Sequence, residues 1–187
     1  MAASGLAIFV WLACVAALAT APPAWDLALR DSIHALASPG LTTAARALTA
    51  IGGGWFLWAL GCVTAAWLWR GGRKRDALWF AVTVLGAHVL ELSLKLAFHR
   101  ARPPAFFGYE APANASFPSG HALAGACFYL ALADALRGSR LHAAALLLAG
   151  VLGFTRVYLG VHYPSDVMAG YALAAFWYGT VQAARNT

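Results

Sequence analysis

Three short polar segments interrupt a chain of 187 residues that is 61% hydrophobic. They are Lys95 with Arg102-Pro103, then Pro118-Ser119-Gly120-His121, then Arg156 with His162 and Asp166. Together they hold three fixed cations, two imidazoles, one carboxylate and a glycine-bearing turn. That inventory suits gripping a phosphate and attacking its phosphorus. Guanidinium and ammonium groups bind phosphoryl oxygens, Arg through a planar fork and Lys as a point charge. An imidazole held by a carboxylate is a competent nucleophile, and a second imidazole can exchange protons with a bound group. Each segment sits at the mouth of an apolar stretch, which points to a phosphate carried by something in a membrane.

Local spacing sharpens each segment. Lys95 and Arg102 are seven residues apart, so they share a face if one helix carries both, with Pro103-Pro104 ending it. Glu91, four residues before Lys95, is placed to pair with it, and His88 and Glu91 read as interior support. Pro118-Ser119-Gly120-His121 immediately precedes an apolar run. Ser is a favoured N-cap, Gly allows close approach to the backbone, and the helix N-terminus attracts anions. Pro164 suits a first helical turn, which puts Asp166 in that turn with its side chain leaning back toward His162. Arg156 lies just before this loop and can clamp phosphate oxygens.

The elements that must position these groups are apolar helices. Only 11% of residues are charged and the mean hydropathy is +0.67, far from the roughly one-quarter charged residues of soluble domains. Residues 2–25, 47–69 and 167–184 contain no charge, and 77–94 contain only Glu91. Two shorter charge-free runs, 111–133 and 141–155, complete six expected spans in an all-α polytopic membrane bundle. This organisation leaves no room for a second domain in residues 1–187. Residues 6–18 followed by Ala19-Thr20-Ala21 mimic a signal peptide, but the basic n-region is missing, so the segment reads as a first transmembrane helix. Residues 24–50 read as an amphipathic segment broken at Pro39-Gly40. It either lies along the interface and shapes a lipid entrance or is a surface connector.

Arg70, Arg73, Lys74, Arg75, Arg137, Arg140 and Arg185 fall on one side of a six-span chain, which the positive-inside tendency makes cytoplasmic. Both termini are then cytoplasmic, and the three polar segments face outward, toward the periplasm. The net charge of +6 is scattered through a chain too apolar for a nucleic-acid partner. Cys14, Cys62 and Cys127 lie in apolar spans with no metal-ligand spacing and read as packing residues.

In order and spacing, Lys95 to Arg102-Pro103, Pro118 to His121, and Arg156 to His162 and Asp166 resemble the motifs of the type 2 phosphatidic acid phosphatase superfamily. The motifs cover 95–103, 118–121 and 155–166, with Thr155-Arg156 where the family usually has Ser-Arg. The resemblance implies that Lys95, Arg102 and Arg156 bind phosphoryl oxygens, helped by Ser119 and Gly120. It implies that His162 attacks phosphorus to form a phosphohistidine, that Asp166 orients it, and that His121 protonates the leaving oxygen. It implies no metal and no cofactor. The expected substrate is a membrane lipid phosphate: undecaprenyl pyrophosphate, phosphatidylglycerophosphate or phosphatidic acid, with lipid A phosphate as an alternative. A lipid phosphotransferase, or a lipid-binding protein without turnover, remains open on these residues, as does the oligomeric state.

Overall fold

The computed structural model describes residues 2–18 and 21–187. Eight helices follow in order: α1 (Ala2–Leu18), α2 (Ala24–His34), α3 (Pro39–Ile51), α4 (Gly54–Arg70), α5 (Lys74–Phe98), α6 (Gly120–Leu136), α7 (Ser139–Tyr158) and α8 (Pro164–Arg185), with no strand among the described residues. The all-α expectation is met. Ala19 and Thr20, two of the three residues that mimic a cleavage site, lie outside the described residues.

Helix α6 forms the axis. Its small and apolar residues are buried around most of its circumference, and α5, α7 and α8 pack against it while α1 packs on α8. Close approach is needed where α8 crosses the start of α6. A Cβ on Gly170 would stand 2.8 Å from both Ala122 Cβ and the Ser119 carbonyl oxygen. The outer surface is oily, and several charged groups are buried within the apolar interior. Trp55 is 94% exposed and Leu147 72%, whereas Asp26 and Asp166 are wholly buried. Such a surface suits lipid as solvent.

The charge-free windows do not coincide with the helices. By length and composition α5 and α7 are each able to cross a membrane, and α3 with α4, bent by 43°, qualifies only as a pair. Helices α1, α4 and α6 have 17 residues each, about 26 Å at 1.5 Å per residue, slightly short of a hydrocarbon core of about 30 Å. The 47–69 window is split at Gly52-Gly53, between α3 and α4. The 111–133 window begins nine residues before α6, because 99–119 is a loop carrying Pro112 and Pro118. By length and composition alone, two of the six expected spans are clear, or three with the bent pair.

Two expectations are corrected. Pro39 does not break the 24–50 segment; it occupies the first turn of α3, capped by Ser38, whose hydroxyl accepts from Leu41 N–H at 3.2 Å. The break falls instead at 35–38, and two short helices result. Of the cysteines, only Cys127 is a buried packing residue, while Cys14 and Cys62 are exposed on outer helix faces, and all three are free.

The expected cationic side exists as one end of the bundle. Arg75 Nη2 donates to the Arg185 carbonyl (2.7 Å), and Arg185 and Arg137 both pair with Asp76, at 2.9 and 3.3 Å. These contacts gather the α4–α5 turn, the α6–α7 turn and the end of α8. The three polar segments meet at the opposite end.

Candidate active site

Helix α5 delivers Lys95 into the bundle. Its side chain is 5% exposed, and Nζ donates to the carbonyls of Ala115 (2.7 Å) and Pro118 (3.0 Å). The helix then stops at Phe98, with His99 in the left-handed region at φ 48°. Arg102 is thus on the loop, and the predicted shared helix face with Lys95 is not formed. The helix ends before Pro103-Pro104 can act as its stop. The loop folds back so that Arg102 still reaches the site. Its Nη1 donates to Val161 O (2.8 Å) and faces His162 Nε2 (3.0 Å), while Nε and Nη2 donate to the backbone and side-chain oxygens of Asn114 at 2.8 and 2.6 Å.

At the start of α6, Ser119 occupies the N-cap position, yet its hydroxyl makes no capping bond. Its N–H donates to the Asp166 carbonyl (3.0 Å), and its buried Oγ has no hydrogen-bond partner among the described residues. Gly120 is required by contact. A Cβ there would collide with the Glu91 carboxylate, which stands over the helix N-terminus. Glu91 also approaches Lys95 Nζ (3.9 Å) and His88 Nδ1 (3.5 Å), so the expected Glu91–Lys95 pairing is present, though long. His121, in the first turn, lies 3.2 Å from the Thr49 carbonyl through Nε2.

Arg156, near the end of α7, is 1% exposed. Nη1 donates to Thr49 Oγ1 (2.7 Å) and Tyr109 OH (3.2 Å), and the buried Nε has no partner among the described residues. A turn through Gly160, at φ +74°, leads to His162, which is 2% exposed. Pro164 opens α8 as predicted, and Asp166 leans back. Asp166 Oδ2 accepts from Tyr163 N–H at 2.9 Å and lies 3.4 Å from His162 Nδ1. The last distance is at the long end of hydrogen bonding, as is common for catalytic groups before substrate binds.

A cavity of about 240 Å³ is lined by Lys95, Arg102, Gly120, His121, Arg156 and His162. Six of the eight predicted residues thus share one surface, and Ser119 and Asp166 stand behind it. His88 and Glu91 line it as well, and Leu57, Trp58 and Val84 give it an apolar flank between α4 and α5. Burial, then the charges of Arg102, Arg156 and Lys95, hold the His162 imidazole well below the usual histidine range. Neutral at pH 7, it keeps a lone pair for attack. Burial and the neighbouring Arg156 bring Arg102 down to about 10, so it remains cationic. The arrangement can place a tetrahedral anion among three cations, with an unprotonated imidazole at one side.

Sequence reasoning missed five contributors. Thr49, Tyr109 and Asn114 fix Arg156, His121 and Arg102, and nothing in their spacing announces it. Arg100 and Asp26 are not among the residues that the three polar segments supply. In the fold, Arg100 Nη1 donates to Asp166 Oδ1 (2.5 Å) and Nη2 to Asp26 Oδ2 (3.0 Å).

The PAP2 superfamily matches residues 76–186. Lipid A 1-phosphatase of Rhizobium johnstonii is 42% identical over 110 residues, 54% of this chain, and the matched part spans only 44% of that protein. Decaprenylphosphoryl-5-phosphoribose phosphatase of Mycobacterium tuberculosis is 35% identical over 143 residues, covering 73% of this chain and 76% of the relative. The crystal structure of a transmembrane PAP2 type phosphatidylglycerolphosphate phosphatase from Bacillus subtilis superposes with a TM-score of 0.85 at 25% identity, over 98% of this chain and 96% of that one.

Proposed function

The chain belongs to the PAP2 superfamily, and we propose that it is a membrane lipid phosphatase acting through a phosphohistidine. One observation carries the reading. His162 turns Nδ1 toward a buried carboxylate and Nε2 toward the cavity that holds Lys95, Arg102 and Arg156. In this scheme the three cations, with Ser119 Oγ and the Gly120 backbone, receive the phosphoryl oxygens. Nε2 attacks phosphorus, and the bond from phosphorus to the lipid oxygen breaks. His121 gives that oxygen a proton, then takes one from the water that attacks the phosphohistidine and releases inorganic phosphate. Asp166 keeps the His162 tautomer and offsets the positive charge that grows on the ring.

The substrate class follows from a polar chamber with an apolar flank at Leu57, Trp58 and Val84: a phosphate at the head of a lipid. Undecaprenyl pyrophosphate, phosphatidylglycerophosphate and phosphatidic acid fit this chemistry, and lipid A phosphate is the alternative. Six spans in a bacterial inner membrane, both termini cytoplasmic and the site facing the periplasm complete the reading. The gathering of cations at the end remote from the site supports that orientation. Metal independence rests on the donor set, three fixed cations around the phosphate position. Phosphate release from a panel of these purified lipid phosphates in detergent tests the function. Activity should persist in excess chelator and fall with vanadate. Failure to release phosphate from any of them overturns the reading, and loss in chelator restored by magnesium overturns metal independence.

A further inference from the structure

Helix α2 lies outside the matched residues 76–186 and outside all three motifs, yet it places a wholly buried carboxylate behind the site. Asp26 Oδ1 accepts from Ser165 N–H (2.8 Å), and Oδ2 accepts from Ser165 Oγ (2.5 Å) and Arg100 Nη2 (3.0 Å). Arg100 donates through Nη1 to Asp166 Oδ1 (2.5 Å) and Ser165 Oγ (2.8 Å). Its guanidinium also lies 4.5 Å from the centre of the Tyr163 ring. One guanidinium therefore bridges two buried carboxylates, and one of these faces His162. Stability alone gives no account of the cluster, because buried ion pairs are often no more stabilising than apolar side chains of similar volume.

Resting on the reading of His162 as nucleophile, we propose that Asp26 and Arg100 are positioning residues for the His162–Asp166 dyad. Asp26 aims the Arg100 fork, and Arg100 fixes Asp166 Oδ1. Asp166 is thereby left with Oδ2 directed at His162 Nδ1. Neither Asp26 nor Arg100 lines the cavity, so each acts through Asp166 rather than on substrate. The amphipathic helix α2 becomes part of the turnover machinery rather than a connector.

The titratable and charged groups around His162 are Lys95 from α5, Arg100 and Arg102 from the 99–119 loop, His121 from α6, Arg156 from α7 and Asp166 from α8. Deleting the Asp26 charge makes this set more positive and disfavours the imidazolium, whereas deleting the Arg100 charge favours it. The test measures phosphate release against pH for Asp26→Asn and Arg100→Gln, on whichever lipid phosphate of the panel the wild type turns over fastest. Both variants should lose about tenfold to a hundredfold in kcat, as displaced supporting groups do. KM should stay within about twofold, since the phosphate-binding cations are untouched. The acid limb of kcat/KM should move down in Asp26→Asn and up in Arg100→Gln, by about 0.5 unit or more. A merely structural contact lowers the folded fraction, read from the thermal midpoint, without moving the limb. An unmoved limb in both variants overturns the proposal, and should Asp26→Asn fail to fold, Arg100→Gln alone decides. His162→Ala separates the two readings. Wild-type turnover by that variant removes the nucleophile assignment, while an inactive His162→Ala with unmoved limbs removes only the positioning role.

Discussion

Asp166→Asn is the substitution that asks most of the geometry. The amide is nearly the same size, so the backbone bond from Tyr163 N–H (2.9 Å) can persist and the start of α8 should stay intact. What is lost is charge, 3.4 Å from His162 Nδ1. At an effective dielectric of about 20, two unit charges at that separation interact by about 5 kcal/mol. If about half of the imidazole charge has developed in the transition state, the loss is about 2.5 kcal/mol, or roughly 70-fold in rate. With the amide oxygen kept on Tyr163 N–H, the amide NH2 takes the Oδ1 place and meets the Arg100 donor, which displaces the side chain, so a fall in kcat of about two to three orders of magnitude is expected. The sign of the pH effect follows as well. The carboxylate favours the imidazolium, so its removal lowers the His162 pKa, and the neutral nucleophile then persists to lower pH. The acid limb should move downward. The assay is phosphate release from pH 4 to 9 in detergent, with thermal midpoints to correct for folded fraction. A wild-type kcat with an unshifted acid limb would refute the coupling of Asp166 to His162.

His121→Ala should slow hydrolysis by about two to four orders of magnitude, while letting a phosphoenzyme accumulate from a substrate with a good leaving group. Failure to trap any acid-labile phosphohistidine by labelling would count against the sequential roles of the two imidazoles. Gly120→Ala drives a methyl group into the Glu91 carboxylate and should cost about 1–3 kcal/mol in stability by overpacking. Adding Glu91→Ala should recover part of the lost thermal midpoint, and no recovery would mean that the collision is not the cause. In a background lacking the native cysteines, Ala111→Cys should react with an impermeant thiol reagent from outside spheroplasts, and Gly72→Cys only after permeabilisation. The reverse pattern would invert the proposed orientation.

Much of the site was legible because phosphate chemistry needs particular residue types close together along the chain. His162 and Asp166 are one helical turn apart, and Pro164 between them starts α8, so the local sequence alone turns the carboxylate back toward the imidazole. Ser119, Gly120 and His121 likewise belong to one helix start. The membrane character was equally legible, since an oily surface is a matter of composition. Helix boundaries were less so. An absence of charge does not distinguish helix from loop, which is why the 111–133 window swallowed residues that Pro112 and Pro118 keep out of α6.

Only the tertiary structure decided how the segments meet. Arg102 reaches His162 because the loop reverses after His99, not because a helix face carries it. Arg156 is held by Thr49 and Tyr109, 107 and 47 residues away in the chain, and Asp26 bonds Ser165 across 139 residues. Spacing rules act over one or two helical turns. Beyond that range, the need to pair a buried charge is satisfied by whatever the packing of α2, α3 and the 99–119 loop brings within hydrogen-bonding distance, and that packing is a property of the whole bundle.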